Sequence, residues 1–349
     1  MDQVDALLKG DRLALARILS QIENNAPESH RLLDILFRHA GKAHIIGVTG
    51  PAGSGKSTLV NRLALAYRRP QDGTSPKKVG ILAIDPTSPF TGGAVLGDRV
   101  RMRDLSGDDG VFIRSMATRG TLGGLALTTG EMATALDAAG FDVIFVETVG
   151  VGQSEMEIAR LAHTILLVEN PGMGDDIQAI KAGILEIGSI IAINKADRPG
   201  VETTERVLRN MLEMNSAGYG DDADFHHGFK TDTAPALAES DAAAWQIPLI
   251  RTVATTGEGI PQVIEALHGH LQYLKTSGRW QVTQKDRLRR DLDNLIREVL
   301  FQTWLGRMSP EEYDRALDRL FTRTVSPFRL AEELIVTDYA NKTQVNHLK

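Results

Sequence analysis

The sequence predicts an α/β protein built on one mainly parallel sheet, with a helical extension before the sheet and a helical hairpin after it. Seven short runs of consecutive apolar residues alternate with helical stretches, as strands buried on both faces do. The runs are 43–49, 79–84, 111–115, 142–147, 164–169, 189–193 and 248–253. The carboxyl ends of parallel strands share one edge of a sheet, so we expect a ligand to bind there.

Both ends of the chain show helical periodicity. Between residues 3 and 40, apolar residues recur three and four positions apart, which predicts one or two amphipathic helices. After Thr276 an apolar stripe runs from Leu288 to Leu300, and a capping box at Ser309-Pro310-Glu311-Glu312 begins a second helix. This hairpin must bury its stripe against the sheet domain or against a second subunit. The predicted divisions are 1–42, 43–276 and 277–349, with an exposed insertion at 215–244.

Composition excludes several classes of protein. The 39 basic and 45 acidic residues are intermixed, with a net charge of −6, which disfavours nucleic-acid binding. The chain has no cysteine, and therefore no disulfide, thiolate metal site or cysteine nucleophile. No apolar run approaches the ~18 residues that a membrane helix needs, and the first residues do not resemble a signal peptide. We therefore expect a cytoplasmic protein that binds no membrane.

Residues 50–58 read GPAGSGKST, directly after the first apolar run and before a helical stretch. This is the strand-loop-helix context that the phosphate-binding pattern GxxxxGK[ST] requires, and a purely structural glycine turn rarely carries Lys-Ser there. Main-chain N–H groups cradle the phosphates, Lys56 bridges the terminal phosphates, and Ser57 offers its hydroxyl to magnesium. The predicted nucleotide contacts are Gly50, Ala52, Gly53, Ser54, Gly55, Lys56, Ser57 and Thr58.

A second motif selects the base. Asn194-Lys195-Ala196-Asp197 follows the run 189–193, which would put the Asp197 carboxylate at the tip of a buried strand. A carboxylate there accepts hydrogen bonds from both the ring N–H and the amino group of guanine, whereas adenine has no matching pair of donors. A buried carboxylate left unpaired costs on the order of 1–3 kcal/mol. Asn194, Lys195 and Asp197 therefore favour GTP over ATP, although the tetrapeptide alone could be a helix-capping loop.

Further carboxylates follow other predicted strands. Glu147 ends one run, and Gly150 three residues later can place its N–H on the γ-phosphate. Asp85 ends another run as a magnesium ligand or a water-orienting group, or else as an ordinary Asp-Pro turn residue. Asp98 lies in the loop that follows, where a surface ion pair with Arg99 is an equally good explanation.

A third polar loop leaves the strand at 164–169. Asp175, Gln178 and Lys181 are three positions apart, so they would share one helical face pointing at the nucleotide or at a partner. The alternative is a solvated first helical turn, in which acidic residues are favourable at the helix amino terminus.

These motifs resemble the MeaB/ArgK-type GTPases of the SIMIBI class, which are chaperones of adenosylcobalamin-dependent acyl-CoA mutases. The resemblance spans the chain and is carried by 50–58 (GPAGSGKST), 85–102 (DPTSPFTGGAVLGDRVRM), 147–155 (ETVGVGQSE), 171–181 (PGMGDDIQAIK) and 194–197 (NKAD). It implies that Lys56 acts on phosphate, that Ser57, Asp85, Asp98 and Glu147 surround Mg2+, and that Asp175, Gln178 and Lys181 form a switch toward the mutase. It also implies that the hairpin is a homodimerisation arm and that adenosylcobalamin is bound by the mutase.

The chain departs from the usual GTPase pattern in one loop. Where Ser-Ala commonly precedes the last helix, this sequence reads VATTG at 253–257, so we assign Ala254 and Thr255 to the guanine base. No arginine finger is evident and Gln153 lies three residues beyond Gly150, so we expect slow intrinsic turnover that a partner stimulates. The rival interpretations are a metallochaperone GTPase serving a nickel enzyme and a P-loop kinase of a small molecule.

Overall fold

The computed structural model describes residues 2–85, 102–105, 107–117, 124–148, 153–172, 187–218 and 244–335. The chain forms two compact units, Met1–Arg287 and Leu288–Lys349. Among the described helices, none is both long enough and apolar enough to cross a membrane. Asp98, Gly150, Asp175, Gln178 and Lys181, which the sequence assigned to the site, lie outside the described residues.

The first unit contains a seven-stranded sheet in which every pairing is parallel, in the order β3-β2-β4-β1-β5-β6-β7. The strands are β1 (His44–Thr49), β2 (Val79–Asp85), β3 (Val111–Ala117), β4 (Val143–Glu147), β5 (Thr164–Glu169), β6 (Ile190–Ile193) and β7 (Leu249–Arg251). Each coincides with one predicted run to within a few residues, and the α/β class and parallel sheet are confirmed.

Helices cover both faces of this sheet. The helices of the first unit are α1 (Asp2–Leu8), α2 (Arg12–Glu23), α3 (Ser29–Leu36), α4 (Lys56–Arg68), α5 (Gly124–Ala138), α6 (Gln153–Leu161), α7 (Val201–Gly218), α8 (Ile260–Thr276) and the first part of α9 (Arg279–Leu305). The helix α10 (Pro310–Phe321) and the helical residues 327–335 belong to the second unit. Successive strand residues enter different cores: Ile45 packs in the cluster that includes α2 and α5, and Ile46 in the cluster that includes α4 and α8. This double burial explains why the runs are apolar at consecutive positions.

The helical extension has three helices, whereas the sequence predicted one or two. Gly10 adopts φ 91°, and the Asp11 side chain accepts hydrogen bonds from Leu13 N (2.8 Å) and Ala14 N (3.1 Å). A left-handed glycine followed by an N-cap ends one helix and starts another. The apolar spacing continues across this break, so periodicity alone did not reveal it.

The predicted insertion at 215–244 begins as helix, because α7 continues to Gly218. Residues 219–243 lie outside the described residues. Just after them, Trp245 Nε1 donates a hydrogen bond to Ser189 O at 2.8 Å, which ties the returning chain to the start of β6.

The second unit contains the remainder of α9, then α10 and the helical residues 327–335. The predicted capping box is present: Ser309 Oγ accepts from Glu312 N at 3.2 Å, and Glu312 Oε2 accepts from Ser309 N at 3.0 Å. These hydrogen bonds lower the pKa of Glu312. An ion pair of 2.8 Å joins Arg319 of α10 to Glu333 in the last helical segment.

Candidate nucleotide-binding site

The predicted phosphate-binding loop joins β1 to α4 at the carboxyl edge of the sheet. Gly50 and Gly55 both adopt positive φ, at 137° and 94°. A Cβ at Gly50 would lie 2.1 Å from Val168 O, and one at Gly55 would lie 2.4 Å from Asn194 Nδ2. Both positions therefore exclude any side chain, for conformational and for steric reasons. This tight backbone loop is the form that presents N–H groups to an anion.

The ammonium group of Lys56 lies over this loop. Its Nζ donates to Gly50 O at 2.8 Å and to Pro51 O at 3.0 Å, and the residue is 5% exposed. The Ser54 hydroxyl is fully buried and has no hydrogen-bond partner among the described residues. A buried cation beside a backbone loop produces the positive potential that a polyphosphate requires.

Ser57, in the first turn of α4, meets Glu147 at the end of β4. The Ser57 hydroxyl donates to Glu147 Oε1 at 2.5 Å, and both side chains are buried. A hydroxyl and a carboxylate are hard oxygen ligands of the type that Mg2+ prefers, so these two residues fit a magnesium site. The backbone of Asp85 ends β2, which is the direct neighbour of β4 in the sheet.

The Asn194 side chain joins three loops. Its Nδ2 donates to Ser54 O at 2.8 Å, while its Oδ1 accepts from Ala254 N at 3.0 Å and from Thr252 Oγ1 at 3.3 Å. Lys195, which has φ 56°, donates from Nζ to Gly53 O at 2.6 Å. Asn194 thus holds the phosphate-binding loop against the loop that follows β7, and Lys195 fastens the phosphate-binding loop to the loop that follows β6. Sequence reasoning assigned them to the nucleotide and missed this bracing role.

Asp197 differs from the expectation. Its side chain is exposed, four residues beyond the end of β6, whereas the sequence predicted a buried carboxylate at the tip of the strand. The backbone N–H groups of Asn194 and Ala196 still donate to Glu169 O (2.7 Å) and Thr252 O (3.0 Å), and the chain becomes exposed only at residues 197–200.

Two further contacts at this edge had no signal in the sequence. Thr148 Oγ1 donates to Thr49 Oγ1 at 3.2 Å, which links the residues after β4 to the start of the phosphate-binding loop. Arg62 of α4 donates from Nε to Ala254 O at 3.0 Å and from Nη2 to Thr255 O at 2.7 Å. Thr58, a predicted contact, lies in the first turn of α4.

Comparison with protein families finds one family along most of the chain. The family described as "Methylmalonyl Co-A mutase-associated GTPase MeaB" matches residues 15–309.

Individual relatives agree with this match. A Pyrococcus abyssi protein named as a GTPase is 38% identical over 332 residues, which cover 95% of this chain and 94% of the relative. The GTPase ArgK of Escherichia coli is 32% identical over 349 residues, which cover 97% of each chain. A crystal structure titled LAO/AO transport system kinase is 25% identical, covers 97% of each chain and superimposes with a TM-score of 0.66.

Proposed function

Because this chain belongs to the MeaB family of GTPases, we propose that it is the chaperone of an adenosylcobalamin-dependent acyl-CoA mutase. In this role its GTP cycle gates delivery of the cofactor to the mutase and protects or reactivates that enzyme. The match of the mutase-associated family over residues 15–309 is the observation that carries the proposal. GTP hydrolysis itself, to GDP and phosphate, follows from the GTPase names of the relatives and from the P-loop fold.

In this proposal the phosphates of GTP bind to the phosphate-binding loop, which joins β1 to α4, and to Lys56. Lys56 is already buried beside the loop, so it exchanges its carbonyl partners for phosphate oxygens without a large rearrangement. Ser57 and Glu147 hold Mg2+, with Asp85 and Asp98 as further ligands or as the group that orients the attacking water. Mg2+ held by these residues would supply positive charge that offsets the negative charge of the phosphates. Gly150 contributes its N–H to the γ-phosphate.

The arrangement of the strand ends supports a coupling between the nucleotide and the mutase. The strands β4 and β5, which precede Gly150 and the segment with Asp175, Gln178 and Lys181, end at the same edge of the sheet as β1, which precedes the phosphate-binding loop. A change in the γ-phosphate therefore reaches both segments at once. We assign the second of them to the contact with the mutase and expect the intrinsic hydrolysis rate to be low.

We also propose that the second unit is a homodimerisation arm. Large apolar side chains of α9 are exposed, among them Leu292 (57%), Val299 (61%) and Leu300 (62%). A contiguous apolar stripe of this kind is unfavourable in water and is typical of an interface. Light scattering is expected to show a dimer, which Leu300→Asp weakens and which Leu13→Asp, an equally exposed position on α2, does not. A monomer of the unaltered chain at micromolar concentration would contradict the arm.

The chaperone role is tested by measuring GTP hydrolysis with and without purified methylmalonyl-CoA mutase over a range of mutase concentrations. We expect the rate to rise with mutase and to saturate, because the partner completes the switch segments. The Lys56→Ala variant controls for hydrolysis by contaminating enzymes. Equal rates at every mutase concentration would count against the proposal.

A further inference from the structure

We propose that Arg62 is a positioning residue for guanine recognition: its guanidinium orients the loop after β7 so that the Thr255 N–H faces O6 of the base. The inference rests on guanine-nucleotide binding and on the assignment of residues 254 and 255 to the base. It concerns a side chain that belongs to none of the sequence motifs.

The guanidinium holds two consecutive peptide groups. Arg62 Nε donates to Ala254 O at 3.0 Å, and Nη2 donates to Thr255 O at 2.7 Å. A guanidinium is planar and rigid, so two hydrogen bonds from adjacent nitrogens define an orientation and not only a distance. Arg62 lies in α4, the helix that begins with Lys56. The loop after β7 is therefore fastened to the same helix that carries the phosphate-binding residues.

Because the peptide group is planar, the hydrogen bond from Arg62 to Ala254 O also fixes the direction of the Thr255 N–H. The Ala254 carbonyl and the Thr255 N–H belong to the same trans peptide group, in which C=O and N–H point in opposite directions. Because Arg62 holds the carbonyl on the α4 side, the Thr255 N–H points away from α4. The next peptide group is held as well, since the Thr256 N–H donates to Val253 O at 3.1 Å.

The neighbouring donors are already engaged. The Ala254 N–H donates to Asn194 Oδ1 at 3.0 Å, and this bond is part of the junction between loops. No described residue accepts a hydrogen bond from the Thr255 N–H. Of the two residues assigned to the base, Thr255 is thus the one whose backbone donor can serve O6 without breaking the Asn194 junction.

The test separates the two edges of guanine. Calorimetry gives dissociation constants for GDP, for the diphosphate of 2-aminopurine riboside, which lacks O6 and the hydrogen on N1, and for IDP, which keeps both and lacks only the amino group. In Arg62→Ala we expect the preference for GDP over the 2-aminopurine nucleotide to fall about three- to tenfold, the value of one net hydrogen bond. The preference for GDP over IDP reports on Asp197 and should not change. Arg62→Lys should restore only part of the preference, because one ammonium cannot reproduce the planar fork.

Arg68→Ala is the matched control. Arg68 also lies on α4, and it fastens the helix to other segments through Lys77 O at 2.9 Å and through Asp108. It is at the end of α4, six residues after Arg62, and none of its hydrogen bonds within the described part of the chain reaches the loop after β7. Arg68→Ala should leave both preferences unchanged. Unaltered preferences in Arg62→Ala, or an equal fall in both, would overturn the positioning role while leaving GDP binding intact. Failure of the unaltered chain to bind GDP would instead overturn guanine recognition as a whole.

Discussion

Buried polar side chains lie both at the carboxyl ends of the strands (the carboxyl edge) and at their amino ends (the amino edge). The hydrogen-bond partners of these side chains differ between the two edges. At the carboxyl edge, Lys56, Lys195 and Asn194 donate to main-chain carbonyls of the glycine loop. At the amino edge, side chains bind one another: Thr164 Oγ1 is hydrogen-bonded to His44 Nε2 at 2.7 Å and to His270 Nδ1 at 2.8 Å. Buried polarity alone therefore does not mark a functional site. The distinguishing feature is a loop with glycines at positive φ whose carbonyls accept hydrogen bonds from lysine and asparagine side chains.

The amino edge is also sealed by rings. His163 accepts a hydrogen bond from Ile45 N at 3.0 Å and stacks on Trp280 with ring centroids 4.1 Å apart. Trp245 packs edge-on against His270. These contacts close over the histidines and contribute to stability, whereas the phosphate-binding loop at the other end of the strands is the segment that we propose presents its amides to a ligand.

The largest expected effect concerns the carboxyl edge. Lys56→Ala should weaken GTP binding at least about 100-fold, because it removes the buried charge that faces the phosphates. The free energy of unfolding should change far less than the binding free energy, since the lysine mainly contacts carbonyls of its own loop. Calorimetric titration with GTP and urea denaturation provide the two numbers, and Lys42→Ala, at an exposed site, is the control. If Lys56→Ala bound GTP as tightly as the unaltered chain does, the assignment of the phosphate site to this edge would be wrong.

The reverse pattern is expected at the amino edge. Thr164→Val keeps the shape of the side chain but deletes the hydroxyl between two buried imidazoles, which should cost about 1–3 kcal/mol of unfolding free energy. GTP affinity should stay within about twofold, because this edge is the far side of the sheet from the glycine loop. Thr276→Val, at an exposed helical position, should be nearly neutral. A large loss of GTP affinity in Thr164→Val would show that the two edges are not independent.

The smallest effect is a pH dependence at the amino edge. Burial lowers the pKa of His44 from its ordinary 6.5 to about 3, and the charges of His270, His268 and Lys275 add to this. Between these two pH values the unfolded chain binds a proton that folded His44 does not. The free energy of unfolding should therefore fall as pH decreases from about 6.5, by on the order of 1–2 kcal/mol at pH 5.

Denaturation by urea at pH 7 and pH 5 measures this slope. His44→Gln should flatten it, and His30→Gln, at an exposed position, should leave it unchanged. An identical slope in His44→Gln and the unaltered chain would assign the pH dependence to other groups, of which His268, whose pKa is also lowered mainly by burial, is the first to examine.

The strands were predictable from sequence because burial on both faces leaves a direct record of consecutive apolar residues, as in His44–Thr49 and Thr164–Glu169. The phosphate-binding loop was predictable because its glycines are required at fixed spacing. The helical extension was harder, since the break at Gly10 and Asp11 leaves the apolar spacing intact. Asp197 lies in an exposed loop, and the spacing of apolar residues, which predicted the strands, gives no information on the path of such a loop.

Arg62 lay beyond sequence reasoning for a different reason. An arginine on a helix usually faces solvent, and nothing near residue 62 indicates carbonyl partners 192 and 193 positions away in the chain. Only the fold brings α4 and the loop after β7 together. The same is true of the Thr49–Thr148 contact, which depends on two strands being neighbours in the sheet.

Gly55 of the phosphate-binding loop lies directly against the Asn194 side chain. A methyl group at residue 55 would overlap the Asn194 amide, which also holds Ala254. We therefore expect Gly55→Ala to weaken the preference for guanine as well as the affinity for the triphosphate, although residue 55 belongs to the phosphate-binding motif and not to the motif that selects the base. In the binding mode that we propose, the phosphates and the base therefore depend on one point of contact, between Gly55 and Asn194.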